Sequence, residues 1–401
     1  MLADEVTTDR GRDALSSNQT RWGVLNMRSL MAGTAAVLVS LIVSATAFAG
    51  TEVCFQNKEG GSIKQTKGGT CAKNFTLKEI GGSSSFSPEE EATLKSVLPH
   101  IKYVAAGVGG KPTVQFSGVN VQIVNGEGKT ASVNGEGNLV IGYDENAQSR
   151  PQTGSHNLIL GEQQEFTSFA GILSGFENAM TARFATAIGG EYNTVSAANA
   201  SITGGESNLA SGPVSSVSGG FDNTASGPAA SITGGEGGKA SGEYSSITAG
   251  RENSASGPLS TVSGGVENRS LGFYTSVSGG GSNTAEAGYA SVSGGALNTA
   301  GTTGGDSVSG GKENTATGEA AWIGGGIKNS TGAAFDAISG GEENSITGAW
   351  DSISGGQLNL VESNWAWIGG GYKNTVTSKA RWSTIYGGKE VKTTGEYEAK
   401  G

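Results

Sequence analysis

Residues 216–220 read Ser-Val-Ser-Gly-Gly, residues 231–235 read Ser-Ile-Thr-Gly-Gly and residues 352–356 read Ser-Ile-Ser-Gly-Gly. The motif returns every fifteen residues, with one extra residue inserted before Val308. One β-branched residue in fifteen cannot offset the conformational entropy of ordering the others, so the repeats must stack to share a core. The apolar position is occupied by Ile202, Val217, Ile232, Ile247, Val262, Val277, Val292, Val308, Ile323, Ile338, Ile353 and Ile368.

An asparagine stands six residues after each apolar position, and only Gly238 breaks that column. If each repeat is one coil of a β-solenoid, equivalent residues lie above one another at a spacing of about 4.8 Å. The asparagines then form a structural amide ladder at a bend, and the glycine pair makes the tight turn after the strand. The ladder comprises Asn208, Asn223, Asn253, Asn268, Asn283, Asn298, Asn314, Asn329, Asn344, Asn359 and Asn374.

The repeats predict an all-β fold, a parallel β-solenoid over residues 157–388. Lead-in strands are expected in residues 111–156, including one from Thr113 to Val124, and a charged C-terminal end in residues 389–401. The apolar positions from Ile172 to Ile385 predict a rod of about 70 Å at one strand spacing per coil.

The pattern Ser-Val-Ser-Gly-Gly-x-x-Asn-x-Ala-Ser-Gly resembles the head repeats of trimeric autotransporter adhesins, over residues 157–388. Those heads are left-handed parallel β-rolls that assemble as trimers on the surface of Gram-negative bacteria. The resemblance implies a secreted or cell-surface homotrimer that attaches to a host-surface protein or a glycan. The chain departs from that family in its fifteen-residue period, since fourteen is common there. It also lacks heptads and long alternating strands, so no integral membrane anchor is expected.

The N-terminal region predicts export. Residues 27–49 form a signal peptide with a basic start, an apolar run and Ala47-Phe48-Ala49 before a cleavage site at Gly50. A permanent membrane span is the alternative, because the run approaches the necessary length, but its alanine-rich end favours cleavage. Residues 1–26 are polar and unlike a signal sequence, which leaves both Met1 and Met27 open as the start.

Two elements are expected between the signal peptide and the repeats. Cys54 and Cys71, the only cysteines, predict a disulfide that closes residues 50–82 in an exported chain. In residues 83–110, Ser87 and the following proline and glutamates predict a helix that ends at His100 or Val104. Its apolar stripe suits local packing or a three-helix contact at the base of a trimer, and consists of Leu94, Val97, Leu98 and Ile101.

Composition and spacing argue against several function classes. The formal net charge is −10 and Lys and Arg are not clustered, so no nucleic-acid partner is expected. His100 and His156 have no Ser or Cys partner at a suggestive spacing, which argues against an enzyme. The acids that follow the glycine turns shift in register and form no aspartate column, so no metal or cofactor is expected. They comprise Glu206, Asp222, Glu236, Glu252 and Glu267.

Aromatic residues recur three positions before the apolar residue, where strand alternation is expected to turn them outward. Two interpretations remain open. The aromatics fill a seam between protomers, or they form a stacking platform for sugar rings or a host protein. The column comprises Tyr244, Leu259, Tyr274, Tyr289, Phe335, Trp350, Trp365 and Trp382, and Trp322 and Trp367 occupy the neighbouring serine column.

The Ser and Thr residues that flank the apolar position favour a second function class. Regular hydroxyl columns on a flat solenoid face can bind ice, and Ser201/Thr203, Ser231/Thr233 and Ser246/Thr248 follow that arrangement. Two features argue against it. Most positions are Ser, which lacks the methyl group of Thr, and the columns are interrupted by Trp322, Gly324, Trp367 and Gly369.

Overall fold

The computed structural model describes residues 51–56, 63–65, 71, 73, 75–80 and 87–401. These residues form two compact units that divide after Val121. In the first unit, strands β1 (Thr51–Gln56), β2 (Ile63–Gln65) and β3 (Phe75–Ile80) form an antiparallel sheet with β1 in the centre. The signal peptide and the polar extension lie outside the described residues. The predicted disulfide depends on the Cys54 side chain, which also lies outside them, so the pairing with Cys71 stays a prediction.

Helix α1 (Pro88–Val97) begins at the predicted cap. The Ser87 hydroxyl accepts the Glu90 N–H at 3.2 Å, and the Glu90 carboxylate accepts the Ser87 N–H at 2.6 Å. A 3₁₀ turn (Leu98–His100) follows, so the predicted end at His100 is correct and the alternative at Val104 is wrong. The chain leaves the α-helix there because Pro99 has no N–H to continue it.

The residues after the helix form a hairpin. Strand β4 (Ile101–Val104) pairs antiparallel with β5 (Thr113–Phe116). The predicted strand from Thr113 to Val124 therefore ends at Phe116 and belongs to this hairpin, not to the solenoid. The apolar stripe of the helix is not buried among the described residues, since Leu94, Val97, Leu98 and Ile101 are 38–61% exposed.

The second unit is a parallel β-solenoid of about 17 turns, which confirms the predicted fold class. At about 4.8 Å per turn the stack is about 80 Å long. Each regular coil contains two short strands, and the strands of successive coils pair in register, as Ser216 does with Ser231 and Val217 with Ile232. A single-residue bridge lies between the two strands of a coil, and the bridges also align from coil to coil.

The first strands of the coils form sheet 1, and the second strands form the 16-stranded sheet 2. Sheet 1 contains Leu139–Ile141, Leu158–Glu162, Ile172–Phe176, Thr186–Glu191, Ser201–Ile202, Ser216–Val217, Ser231–Ile232, Ser246–Ile247, Thr261–Val262, Ser276–Val277, Ser291–Val292, Ser307–Val308, Trp322–Ile323, Ala337–Ile338, Ser352–Ile353, Trp367–Ile368, Thr384–Ile385 and Ala399–Lys400. Sheet 2 contains Glu165–Phe166, Ala179–Met180, Thr194–Val195, Leu209–Ala210, Thr224–Ala225, Lys239–Ala240, Ser254–Ala255, Arg269–Ser270, Thr284–Ala285, Thr299–Ala300, Thr315–Ala316, Ser330–Thr331, Ser345–Ile346, Leu360–Val361, Thr375–Val376 and Lys392–Thr393.

In the central coils the solenoid core is an isoleucine and valine column facing an alanine column. The column from Ile202 to Val292 in sheet 1 is at most 1% exposed. From Ala210 to Ala316 the inward residue of sheet 2 is alanine in every coil except the one with Ser270, and Ala210 and Ala225, for example, are fully buried. In the C-terminal coils Ile346, among others, replaces alanine, so the core there is bulkier. A large residue facing a small one lets each thin coil fill its interior without voids.

In the regular coils after Ile202, the turn requires only the second glycine of the pair. Gly220 has φ +94°, and a Cβ there would collide with the carbonyl oxygen of Gly235 in the next coil. A Cβ at Gly219 would meet no atom within 4 Å, and Ala249 occupies the equivalent position in another coil. The sequence predicts that the glycine pair makes the turn, and the structure shows that one glycine of the pair is enough.

The coils extend beyond the predicted repeat region and absorb irregularities at the corners. Lys392–Thr393 pairs with Thr375–Val376, and Ala399–Lys400 pairs with Thr384–Ile385, so residues 389–401 continue the solenoid. The extra residue before Val308 lies in a corner with Gly304 and Gly305 at positive φ, which leaves Ser307 paired with Ser291.

Candidate binding surfaces

The asparagine ladder is closed to ligands. Asn208 Oδ1 accepts the backbone N–H of Asn223 at 3.0 Å, and Asn223 Nδ2 donates to the carbonyls of Gly219 and Gly235 at 3.2 and 2.9 Å. The asparagines of the predicted ladder are at most 1% exposed. Gly238 still donates its N–H to Asn223 at 2.9 Å but has no amide to offer the next coil. These contacts give the ladder a structural role.

The aromatic column forms a continuous stack at one corner of the solenoid. Successive ring centroids are 5.8, 5.3, 5.3 and 5.1 Å apart, and the ring planes differ by 18° or less. We call this group the corner stack, and it consists of Phe335, Trp350, Trp365, Trp382 and Tyr397. Tyr274 and Tyr289 form a shorter stack of the same kind at 5.7 Å.

The corner stack sits in left-handed turns, not in strands. Its residues have φ between 55° and 60°. The predicted outward direction is correct, but it results from these turns and not from strand alternation. These residues are 41–70% exposed. Because each ring covers the face of the next, the stack presents mainly ring edges to solvent. Sequence reasoning missed Tyr397, since Lys400 stands where the apolar marker of its coil would be.

Trp322 and Trp367 lie elsewhere, on the outer side of sheet 1. Their indole Nε1 atoms donate to the hydroxyls of Ser309 at 3.2 Å and Ser354 at 2.9 Å in the preceding coils. Each indole also lies over a glycine two residues ahead. A Cβ at Gly324 would be 2.9 Å from the Trp322 ring, and Gly369 is related to Trp367 in the same way at 3.0 Å. These glycines, which interrupt the hydroxyl columns, make room for the indoles.

The outer side of sheet 1 carries no charged side chain across residues 201–386, although 15% of the chain is charged. We call this surface the neutral face. The acids that follow the glycine turns lie exposed at a different corner, where Lys328 and Glu343 pair at 3.8 Å. The neutral face comprises the pairs Ser201/Thr203, Ser216/Ser218, Ser231/Thr233, Ser246/Thr248, Thr261/Ser263, Ser276/Ser278, Ser291/Ser293, Ser307/Ser309, Trp322/Gly324, Ala337/Ser339, Ser352/Ser354, Trp367/Gly369 and Thr384/Tyr386.

An open groove of about 610 Å³ follows the bridges between the two sheets. Two glutamates lie along it between two phenylalanines, on a floor of positive-φ glycines. Its lining consists of Gly175, Phe176, Gly190, Glu191, Gly205, Glu206, Gly220 and Phe221. The groove has no enclosed depth, so its shape selects no particular ligand.

Sequence reasoning missed a pair of buried carboxylates beside the corner stack. Asp336 and Asp351 are 1% and 2% exposed. Asp336 Oδ1 accepts the N–H of Asp351 at 3.2 Å, and Asp351 Oδ1 accepts the N–H of Ala366 at 2.7 Å. Burial raises the pKa of both to about 7, and the neighbouring Asp336 adds to the increase at Asp351. Their only sequence signal is an aspartate at a position that holds Ala, Ser or Thr in the other coils of residues 200–385, apart from a third buried aspartate at Asp306.

The histidines have structural contacts. His156 Nε2 accepts the Asn125 N–H at 3.1 Å, and His100 Nδ1 lies 2.9 Å from the Ser117 carbonyl. Among the described residues, no three His, Cys, Asp or Glu side chains are grouped to hold a metal. Within the part of the chain that the structure describes, no helix is long and apolar enough to cross a membrane.

The chain matches no family model and no curated protein. The similarity to autotransporter heads therefore rests on the repeat pattern of the chain itself, and its functional meaning belongs to the proposal below.

Proposed function

We propose that this protein is a secreted or cell-surface adhesive rod of the trimeric autotransporter head type. The observation that carries the proposal is the long solenoid whose buried asparagine column bonds to its own backbone and is closed to ligands. Function is then left to its lateral surfaces. Neither histidine has a catalytic arrangement, and the described residues hold no metal-ligand cluster, so we propose a binding role and no catalytic one.

The corner stack supports a seam between protomers. Its residues expose apolar rings over successive coils, and an apolar surface of that extent is typical of an interface. Stacked rings offer edges, which suit packing against a neighbouring apolar surface better than stacking onto a sugar ring. We therefore propose a homotrimer in which these corners are covered.

Light scattering on residues 50–401 tests the assembly, with a trimer mass expected. Changing both Trp350 and Trp365 to Ser should lower the trimer mass and melting temperature, because each large side chain loses about 25 cal/mol per Å² of buried apolar area. Tyr244→Ser is the matched control, since Tyr244 occupies the same corner without a stacked partner among the described residues.

An intact trimer with reduced adhesion would instead assign the corner stack to ligand binding. Intact assembly together with intact adhesion would count against both roles. Export is tested by N-terminal sequencing of the secreted protein, which should begin at or near Gly50.

A second candidate is an ice-binding solenoid. It is favoured by the uninterrupted double column of hydroxyls in eight successive coils, from Ser201/Thr203 to Ser307/Ser309. Thermal hysteresis of the purified protein would support this function, and its absence at high protein concentration would exclude it.

A further inference from the structure

The neutral face differs from the rest of the rod in its electrostatics. The chain has a net charge of −10, yet the outward side chains of sheet 1 from Ser201 to Tyr386 contain no ionisable carboxylate, ammonium or guanidinium group. The neutral face offers no opposite charge to a charged partner, and the negative net charge of the protein repels polyanions. The surface complements an uncharged partner that hydrogen-bonds through hydroxyl groups, because no charge has to be desolvated.

The C-terminal part of this face adds aromatic rings. Trp322 is 39% exposed and has no aromatic neighbour among the described residues, while Trp367 meets only the edge of Tyr386 at 6.1 Å and 85°. Neither indole is stacked face to face as the rings of the corner stack are. Both are anchored by a serine hydrogen bond and seated over a glycine. They are therefore positioned before any ligand arrives, which lowers the entropic cost of binding.

The two indoles bracket a shallow floor. Sheet pairing places Trp322 next to Ala337, Ala337 next to Ser352 and Ser352 next to Trp367. Three strand spacings separate the tryptophans by about 14 Å along the rod. The floor between them consists of small side chains, of which the serines carry hydroxyls.

We propose that this part of the neutral face binds an uncharged polysaccharide whose chain runs along the rod. Sugar rings have apolar C–H faces that pack on indoles and hydroxyl edges that bond to serines and to water. The 14 Å spacing lets one short segment of chain contact both tryptophans and the serines between them. The inference rests on the proposed adhesive function and names the surface and ligand class that it uses.

The test is binding of the full-length exported protein to microcrystalline cellulose and chitin at low and high salt, with heparin as the anionic comparison. Trp322→Ser/Trp367→Ser restores the residue found in other coils, so folding should be retained. We expect it to weaken binding to a neutral polysaccharide about tenfold or more, at unchanged oligomeric mass and melting temperature. Binding by the unaltered protein should be insensitive to salt. Ser216→Ala/Ser231→Ala, on the same face but away from the indoles, is the matched control and should bind normally.

Four results would overturn the inference: unchanged binding by the double tryptophan variant, preference for heparin, no binding of the unaltered protein to either neutral polymer, or a lower oligomeric mass in the variant. The last result would make the face a seam between copies. In any of these cases, a trimer that still attaches to host cells would leave the proposed adhesive function standing. An unaltered protein that is monomeric and attaches to nothing would instead refute that function itself.

Discussion

Changing Asp336 and Asp351 to asparagine should stabilise the solenoid at neutral and higher pH and leave its stability in acid nearly unchanged. Both carboxyls are buried, each lies one coil from the other, and burial raises the pKa of each from 3.8 to about 7. The folded protein keeps these protons up to about pH 7, whereas the unfolded chain releases them near pH 3.8. The free energy of unfolding therefore falls as the pH rises through that window and is level above it.

The size of the effect follows from the two pKa values. The interval from 3.8 to about 7, at about 1.4 kcal/mol per pH unit, corresponds to at most about 4 kcal/mol for each carboxyl. Because the two carboxyls interact, each observed titration step describes the pair and cannot be assigned to one aspartate. Asparagine is a neutral substitute of the same shape, and its Oδ1 can still accept the backbone N–H of residue 351 or Ala366. The double variant should thus behave like the fully protonated protein at every pH.

Urea denaturation followed by tryptophan fluorescence measures the effect, because Trp350 immediately precedes Asp351. The measurement runs from about pH 4 to about pH 8, across the window in which the folded and unfolded chains bind different numbers of protons. Asp222→Asn, at an exposed aspartate, is the control and should follow the unaltered protein. If the unaltered protein and the double variant lose stability in parallel over this range, the carboxyls are not held neutral by burial and the reasoning is refuted.

Three further predictions test the coil. Val277→Asp should cost about 4 kcal/mol or more by burying an unpaired charge, whereas Ser278→Asp on the exposed side should be mild; equal melting temperatures would contradict the inward assignment. Gly220→Ala should destabilise by at least about 1–2 kcal/mol through its left-handed backbone and its collision with the next coil, and Gly219→Ala should be neutral, as paired urea melts would show. Gly238→Asn should stabilise by about 1 kcal/mol by completing the ladder, and an unchanged urea midpoint would mean that the existing gap costs nothing.

The period of the sequence was sufficient to predict the fold class and the buried column, because Ile and Val mark sheet 1 in nearly every coil. The sequence did not predict the second strand of each coil, since the inward residue of sheet 2 changes type along the rod and in the central coils is alanine, as at Ala225, which stands out in neither pattern nor hydropathy. The same alternation that suggests a lead-in strand at Thr113 also suits the hairpin with Ile101–Val104. Local pattern cannot distinguish these settings, because pairing partners are chosen by tertiary structure.

The surfaces were only partly predictable. The aromatic column was visible as a repeat, but whether its rings expose faces or edges depends on the left-handed corners that bring Trp350 and Trp365 to 5.3 Å. In the sequence, Gly324 and Gly369 interrupt a hydroxyl column. Their contact with the indoles is visible only in the structure, where the tryptophan two residues earlier lies over each glycine. The buried state of Asp336 depends on which side of a corner faces inward, which one coil of sequence does not reveal.

The left-handed corners also determine how the number of coils can change during evolution. Each regular coil holds one or two non-glycine residues at φ near +55°, a backbone that costs about 1–2 kcal/mol per residue, so a lone coil cannot persist without neighbours. Between neighbours, however, the backbone pairing of the regular coils is the same at each junction. Duplicating or deleting a whole coil would recreate an existing junction, while a smaller insertion must be accommodated at a corner, as before Val308. The length of the rod can therefore change during evolution by one coil at a time without other changes to the core.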